Sequence, residues 1–302
     1  MTSAGQLVVR ATYADESLRD IVVDLQRPSV TRLFIGQLPD VVIKTVPYLF
    51  TLCAHAQRVA AQAAVNVALG ETPRIPDHAE LWIEVLHENL WRLLLDWPPA
   101  VGLPPAKEAF IAWRGSRNAG DVVATTRSLL DNVVQPLAAE CLARLVDTAD
   151  EAEHHAQTPA PLAPEAWLDY WQGTRAEMPG LSLPASIAAI YRARLAEVDG
   201  ALAALVTHQP FPIASAGGGG WGVGQTLTAR GVLTHAVHVV DGEVVRYRVQ
   251  APTDSLFADA RPLTALLANP RFVTLHQARQ GLDQAILALD PCLPYTVELQ
   301  DA

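Results

Sequence analysis

Four side chains in this sequence are of the types that hold metal ions and small anions. Arg230 carries a planar guanidinium that stays charged, and Thr253 carries a hydroxyl, so the pair suits a small anionic ligand. Cys53 and Cys292 can each supply a thiolate, a soft donor that transition metals such as iron accept. The third cysteine, Cys141, falls on the apolar face of a predicted helix, where we expect a core residue.

Each of these assignments has an alternative that the sequence leaves open. Free cysteines are often buried, so Cys53 and Cys292 could both be core thiols. Arg230 could pair with a carboxylate on its own hairpin, such as Glu243 or Asp241. The functional interpretation therefore depends on the elements that would bring these side chains together.

A β-hairpin is the clearest of those elements. Two apolar-rich runs, Leu227–Val240 and Glu243–Ala251, flank the dipeptide Asp241-Gly242, which favours a type I′ turn. Because the turn is at the far end, both mouths of the hairpin lie at the same end of the ribbon. Arg230 and Pro252-Thr253 are therefore predicted to lie close together.

Helical patterns dominate the chain before the hairpin. The stretch from Val41 to Leu69 is apolar and then alanine-rich, and Gly70 is a suitable helix stop. A second helix is predicted from Asp77 to Asp96, because its apolar residues follow helical spacing. Further helices are predicted at 105–113, 118–148, 164–177, 184–206 and 271–288, and short strands at Leu7–Val9 and Ile21–Leu25.

These elements predict a single, mostly helical α+β domain, with a helical body at 1–210 and a hairpin and tail at 211–302. The glycine-rich segment Ala216–Gly224 is expected to be a flexible connection to the hairpin. It does not indicate a phosphate-binding loop, because no Gly-Lys-Ser/Thr follows its glycines and the next element is a strand. His235 and His238 are expected to be structural, since their spacing on a strand puts them on opposite faces. His154-His155 is expected in an exposed loop.

Composition narrows the class of protein. The 302 residues are 18% charged with a formal net charge of −10, so electrostatic binding of nucleic acid is not expected. Three cysteines far apart do not indicate a disulfide framework, and neither a signal peptide nor a membrane-spanning apolar run is visible. We therefore expect a soluble, acidic, cytoplasmic protein that binds neither nucleic acid nor membranes.

The hairpin and the C-terminal segment resemble a known family. Ala-Arg-Gly-x-Leu-x-His from Ala229, then Asp-Gly, then Ala-Pro-Thr from Ala251 are similar to the segment before the C-terminal cysteine motif of nickel–iron hydrogenase large subunits. That motif, Asp-Pro-Cys-x-x-Cys-x-x-His, is matched by Asp290-Pro291-Cys292. Tyr295 stands where the second cysteine would be, and Glu298 where the histidine would be.

The family's N-terminal cysteine motif, Arg-x-Cys-Gly-x-Cys-x-x-x-His, is matched by the segment from Tyr48 to Gln57. Only its second cysteine is present, as Cys53, while Phe50 replaces the first cysteine and Gln57 the histidine. An Arg-x-Glu-Gly-His start is missing, and we expect no peptide beyond the C-terminal motif for a maturation protease to remove. These departures argue against an active large subunit.

The phrase Leu-Phe-Thr-Leu-Cys-Ala-His-Ala-Gln around Cys53 is similar to the signature of the large-subunit-like accessory proteins of hydrogenase assembly, the HupK/HoxV group. The resemblance implies a trimmed hydrogenase large-subunit-like fold with a C-terminal β-hairpin. It also implies a non-catalytic scaffold or chaperone of hydrogenase maturation. Cys53 and Cys292 would be its metal ligands, and Arg230, Pro252 and Thr253 would bind the cofactor.

The cargo that the resemblance implies is an iron–cyanide–carbonyl fragment, Fe(CN)2CO, which the protein would hold or transfer. Nickel is not expected, because the enzymes hold nickel and iron with four thiolates. The implied partners are hydrogenase assembly proteins, with the immature large subunit as a further candidate. The alternative is a metal-free interaction protein that shields the immature large subunit or an assembly partner. An enzyme that uses another metal is a third interpretation, weakened because neither cysteine has a convincing histidine or carboxylate partner.

Overall fold

The computed structural model describes residues 5–117, 120–146, 161–179 and 186–302, in which helices lie between two small β-sheets. The strands are β1 (Gln6–Ala14), β2 (Ser17–Gln26), β3 (Ile213–Gly218), β4 (Trp221–Thr228), β5 (Gly231–Val240), β6 (Glu243–Gln250) and β7 (Tyr295–Asp301). The helices are α1 (Pro39–Leu49), α2 (Ala54–Leu69), α3 (His78–Trp91), α4 (Trp97–Ala100), α5 (Lys107–Ser116), α6 (Val122–Leu129), α7 (Gln135–Leu142), α8 (Pro164–Gln172), α9 (Ile187–Val206), α10 (Pro252–Leu256), α11 (Arg261–Leu266) and α12 (Leu275–Leu289). The pair His154-His155 lies outside the described residues.

The first sheet joins the two ends of the described chain. Its order is β2-β1-β7, with β1 antiparallel to β2 and parallel to β7, so that Leu7 lies beside Tyr295. The strands predicted at Leu7–Val9 and Ile21–Leu25 are confirmed within β1 and β2. The sequence did not predict β7, which is the last strand of this sheet.

The second sheet contains the predicted hairpin as its last two strands. Its order is β3-β4-β5-β6, and all its neighbours are antiparallel. Asp241-Gly242 connects β5 to β6 with φ values of 52° and 84°, which confirms the predicted turn. The prediction of one continuous run over Leu227–Val240 was wrong. Ala229-Arg230 forms a turn that connects β4 to β5. Gly231 takes a φ of 123° there, which favours glycine and allows the chain to reverse.

The glycine-rich segment that we expected to be a flexible connection belongs to this sheet. Gly219-Gly220 forms the turn between β3 and β4, with φ values of 58° and 86° that glycine adopts at little cost. Gly222 and Gly224 face α2, where an added Cβ would collide with the carbonyl oxygens of Ala64 and Ala60. The absence of side chains therefore allows close contact between helix and sheet.

Helices α1 to α3 carry the N-terminal half of the candidate site. Pro47 is accommodated inside α1, and the chain leaves helical geometry before Cys53, which is the N-cap residue of α2. Gly70 ends α2 with a φ of 70°, the left-handed C-cap that the sequence predicted. Asp77 caps α3, which continues through a π-helical turn, Arg92–Asp96, into α4.

Two apolar cores hold these elements together. The larger core joins the helices to the first sheet around Trp97, Tyr191 and Phe257, and it contains the fully buried Cys141, as predicted. The smaller core lies between α1, α2 and the second sheet, around Val46 and Val237. The α+β class is confirmed, whereas the division at residue 210 stays a prediction. Among the described helices, none has the length and apolar character needed to cross a membrane.

Candidate functional site

Cys292 lies in the loop between α12 and β7, where two side chains contact its sulfur. Arg27, just beyond β2, places Nη2 2.9 Å from the Cys292 Sγ. The Thr253 hydroxyl donates to the same sulfur at 3.3 Å and accepts the Cys292 backbone N–H at 3.3 Å. Because a hydroxyl both donates and accepts, Thr253 fixes the backbone and the sulfur of Cys292 together.

Helix α10 places Thr253 for this contact. Pro252 is the first residue of the helix and is buried, as is Thr253. Asp254 accepts the backbone N–H of Ala251 at 3.0 Å, which closes the first turn. The Arg27 Nε lies 2.9 Å from the Asp254 Oδ1, so one guanidinium joins the end of β2, α10 and the cysteine loop.

Arg230 sits in the turn between β4 and β5 and is buried. Its Nη2 lies 2.8 Å from the Glu88 Oε2, and its Nε is 3.2 Å from the backbone oxygen of Asp290 and 3.3 Å from the Asp290 Oδ1. The ion pair with Glu243 or Asp241 that the sequence allowed is replaced by these partners from α3 and the Asp-Pro-Cys segment. Within the described part of the chain, the buried Nη1 has no hydrogen-bond partner.

Asp290 is the charged centre of the site. Its carboxylate accepts from Arg92 at 2.7 Å and from Arg194 at 2.9 Å, in addition to its contact with Arg230. Burial alone would raise the pKa of Asp290, but the three guanidinium groups outweigh that effect and lower its pKa to about 2. Burial also opposes the charge of Arg230, but Asp290 and Glu88 raise the pKa of Arg230 above its ordinary value. Asp290 and Arg230 are therefore both charged at neutral pH.

Cys53 occupies a less polar environment. Burial of the thiol raises the pKa of Cys53 to about 12, because Arg230 and Gln57 offset only part of the desolvation. The Gln57 Nε2 lies 3.6 Å from the Cys53 sulfur. The first backbone N–H groups of α2 have a carboxylate as their partner. Glu84 accepts hydrogen bonds from His55 and Ala56 at 2.8 and 2.9 Å.

Gln57 joins Cys53 to a buried polar chain. The Gln57 Oε1 lies 2.8 Å from Nε2 of His235, and Nδ1 of His235 lies 2.6 Å from the Tyr247 hydroxyl. Burial lowers the pKa of His235 to about 3, so its imidazole is neutral. The structural role predicted for His235 is confirmed, and His238 stacks on the Trp221 ring instead, with 4.1 Å between centroids.

A cavity of about 400 Å³ lies beside Arg230 and Cys292. Arg230, Glu88 and Cys292 line its polar side, and Leu52 and Tyr295 line its apolar side. Its volume falls within the range of roughly 300–1,000 Å³ that is typical of small-molecule sites. Cys53 follows Leu52, and its pKa responds to the charges of both Arg230 and Cys292. The structure thus brings Arg230, Thr253 and Cys292 together and places Cys53 in the same electrostatic environment.

The number and type of donor atoms determine which metal group these residues could bind. No cluster of three or more histidine, cysteine or carboxylate ligands occurs in the part of the chain that the structure describes. Two thiols and an unpaired guanidinium N–H suit a metal that brings its own small anionic ligands. They do not supply the four thiolates that a nickel–iron centre requires.

Sequence reasoning missed four contributors: Arg27, Glu88, Arg92 and Arg194. Glu88 and Arg92 follow Leu81 and Val85 at helical spacing, so two charges interrupt an apolar stripe. Charged residues within an apolar stripe indicate buried charge, so the sequence could have pointed to Glu88 and Arg92. Arg27 offered no such signal, because its contact with Cys292 spans almost the whole chain.

Known proteins that are similar to this chain include hydrogenase expression/formation proteins. The hydrogenase expression/formation protein HupK of Azotobacter vinelandii is 30% identical, over 99% of this chain and 100% of the relative. HupV of Azotobacter chroococcum is 30% identical over 98% and 99%, and HoxV of Cupriavidus necator is 26% identical over 100% and 98%. No protein-family model matches the chain.

Solved hydrogenase structures share the fold. The Ni-Fe-Se hydrogenase of D. vulgaris Hildenborough in the reduced state superposes with a TM-score of 0.64 at 13% identity, covering 93% of this chain and 94% of that one. An NAD+-reducing [NiFe]-hydrogenase gives a TM-score of 0.56 at 12% identity, over 93% and 94%. The predicted hydrogenase large-subunit-like fold is confirmed.

Proposed function

Because the chain belongs to the family of hydrogenase expression/formation proteins that includes HupK, HupV and HoxV, we propose that it is a non-catalytic scaffold of nickel–iron hydrogenase maturation. In this proposal it holds or transfers an iron–cyanide–carbonyl precursor through Cys53 and Cys292. Its partners are the assembly proteins that supply the fragment and the immature large subunit that receives it.

The unpaired Nη1 of Arg230 is the observation that carries this proposal. A buried donor without a partner is costly, and a ligand that accepts a hydrogen bond from it would remove that cost. Arg230 lines the same cavity as Cys292, and its other nitrogens are fixed by Glu88 and Asp290. The free N–H is therefore oriented in advance, and a cyanide nitrogen is an acceptor of suitable charge for it.

The remaining site residues have complementary roles in the proposal. Cys292 is the anchoring thiolate, since Arg27 and Thr253 both donate to its sulfur. Cys53 is the second ligand, and the proton that its buried thiol retains is released when a metal binds. Pro252 fixes the start of α10, so that Thr253 stays beside Cys292.

One observation favours the alternative, a metal-free interaction protein. Exposed apolar side chains follow one side of α1 and the turn after it: Leu38, Val41, Tyr48 and Leu52. Leu52 also lines the cavity, so this stripe reaches the candidate site. A protein that only shields an assembly partner would use the stripe without loading the cavity.

Infrared spectroscopy separates the two proposals. The protein is purified anaerobically after co-expression with hydrogenase assembly factors, and spectra are recorded where cyanide and carbonyl ligands absorb and protein hardly does. The scaffold proposal expects bands in the wild type that are lost in Cys53→Ala and Cys292→Ser but kept in Cys141→Ala, a cysteine of the core. Bands that persist in Cys292→Ser would overturn the ligand assignment.

A blank wild-type spectrum, with the assembly factors shown to be active, would favour the interaction protein. A test in cells then decides between them. A Cys53→Ala/Cys292→Ala double variant should fail to support hydrogenase maturation if the protein is a scaffold, and should support it if the protein only shields a partner.

A further inference from the structure

Arg27 is a cationic side chain that touches a candidate metal ligand directly. Its Nη2 lies 2.9 Å from the sulfur of Cys292, and its Nε lies 2.9 Å from the Asp254 Oδ1. The side chain is mostly buried, and Asp254 holds it against α10. A guanidinium cannot release its charge, so a fixed positive charge stays beside this sulfur.

The contacts of this sulfur limit what it can bind. When Cys292 gives up its proton to bind a metal, its sulfur has three lone pairs; Arg27 and Thr253 each use one, so a single lone pair is left for the metal. Cys292 can therefore bind one metal ion, but it cannot bridge two while both contacts persist. This restriction follows from the hydrogen bonds alone.

The charge of Arg27 also determines how strongly each competing group is repelled from the Cys292 sulfur. A bare divalent cation brings two positive charges to the neighbouring guanidinium, and a proton brings one. An iron(II) ion with two cyanides and a carbonyl brings no net charge. Coulomb repulsion in a partly buried site therefore disfavours the divalent cation most and the neutral fragment least.

We propose that Arg27 is a specificity-determining residue, which excludes bare divalent cations such as Zn²⁺ and Ni²⁺ from Cys292 while admitting a neutral iron–cyanide–carbonyl fragment. The identity of this cargo rests on the proposed function, whereas the exclusion of divalent cations does not. Binding forms metal–sulfur bonds without any change of oxidation state, and each thiol that binds releases its proton to solvent. The guanidinium of Arg27 remains as a donor to the sulfur.

The test measures Zn²⁺ affinity of the reduced, anaerobic full-length protein by competition with a chromophoric chelator. Arg27→Gln should bind Zn²⁺ about tenfold more tightly than the wild type, because the repulsive charge is gone. Arg27→Lys, which keeps the charge, should stay close to the wild type. Arg19→Gln is the matched control, since it removes an exposed charge from β2, the strand that ends just before Arg27.

A second readout separates specificity from loss of structure. After co-expression with assembly factors, the infrared bands of the iron fragment should weaken in Arg27→Gln while its Zn²⁺ affinity rises. A merely structural role would weaken both, and that result, or an unchanged Zn²⁺ affinity, would overturn the proposal. Arg27→Leu provides a second neutral variant in case Arg27→Gln folds poorly.

Adding Cys292→Ser to Arg27→Gln should abolish the gain in Zn²⁺ affinity, and a gain that remains would show that the charge acts elsewhere. The two proposals fail in different ways. A wild type without infrared bands would refute the scaffold function, whereas the competition with Zn²⁺ would still test Arg27.

Discussion

Glu88 of α3 and Arg230 of the β4–β5 turn form a buried ion pair, with 2.8 Å between the carboxylate oxygen and Nη2 and both side chains only 5% exposed. The pair joins the helical body to the second sheet at the wall of the cavity. Because Glu88 holds Nη2 and Asp290 holds Nε, the guanidinium cannot rotate towards other partners. Its third nitrogen, Nη1, has no hydrogen-bond partner among the described residues.

Removing the charge of Arg230 should destabilise the protein strongly. Arg230→Gln leaves Glu88 buried without its cation, and breaking such a pair costs about 3–5 kcal/mol. Urea denaturation at neutral pH measures the loss. The Glu88→Gln/Arg230→Gln double variant should lose less than the sum of the single variants, since neither charge is left alone. Arg10→Gln, which breaks an exposed pair with Glu298, should cost no more than about 1 kcal/mol.

The hydroxyl of Thr253 should be needed to hold Cys292. Thr253→Val keeps the shape of the side chain but removes both hydrogen bonds to Cys292, so we expect a loss of about 1–2 kcal/mol in the free energy of unfolding. Retention of the iron fragment, measured by its infrared bands, should fall as well. Thr253→Ser should restore both properties, and equal behaviour of Ser and Val would show that the hydroxyl is not used.

The contact between α2 and β4 should not tolerate a methyl group at Gly222. Its Cβ would collide with the carbonyl oxygen of Ala64, so Gly222→Ala should cost about 1–3 kcal/mol or more. Gly200, inside α9, has open space around the corresponding position. Gly200→Ala should therefore stabilise the protein by about 0.5–1 kcal/mol, as expected for a helix interior. Thermal unfolding of both variants measures the contrast, and a neutral Gly222→Ala would refute the close contact.

His235 should make the protein sensitive to acid. Burial lowers the pKa of this imidazole to about 3, so the unfolded chain, with an ordinary histidine pKa of roughly 6.5, takes up the proton first. The stability that neutral His235 provides is complete at pH values above the unfolded-state pKa of roughly 6.5. It is lost as the pH falls towards the folded-state pKa of about 3. The full effect is up to about 5 kcal/mol.

Urea denaturation between pH 7 and pH 4 tests this effect. The wild type should lose stability more steeply than His235→Gln, which has no proton to gain at this position. His276→Gln, at an exposed position of α12, should follow the wild-type curve. Parallel curves for the wild type and His235→Gln would contradict the assignment.

Local signals predicted most of the elements. Asp241-Gly242 and Gly70 fixed a turn and a helix end, because each requires a backbone conformation that few residues adopt. The flexible connection predicted around Gly222 was wrong, because a glycine can be required for close packing as well as for a turn. Glycine indicates flexibility when it is read alone, whereas here it permits contact with a helix far away in the sequence.

The sequence predicted the candidate-site residues that stand in recognisable motifs, and it missed those that only the fold brings together. Arg230, Thr253 and Cys292 stand in recognisable spacings, and the structure brings them together. The alternative partners considered for Arg230 lay on its own hairpin, because a sequence shows neighbours along the chain and not across it. Arg27 meets Cys292 only because β1, β2 and β7 form one sheet.

That sheet also determines when the site can form. β7 pairs with β1 in parallel, so the chain must close a loop of nearly its whole length before Arg27 can reach Cys292. Contacts between such distant residues form late and slow the folding of a domain. Until that loop closes, the thiol of Cys292 lacks its guanidinium neighbour, so the long-range pairing of the sheet is a condition for the site.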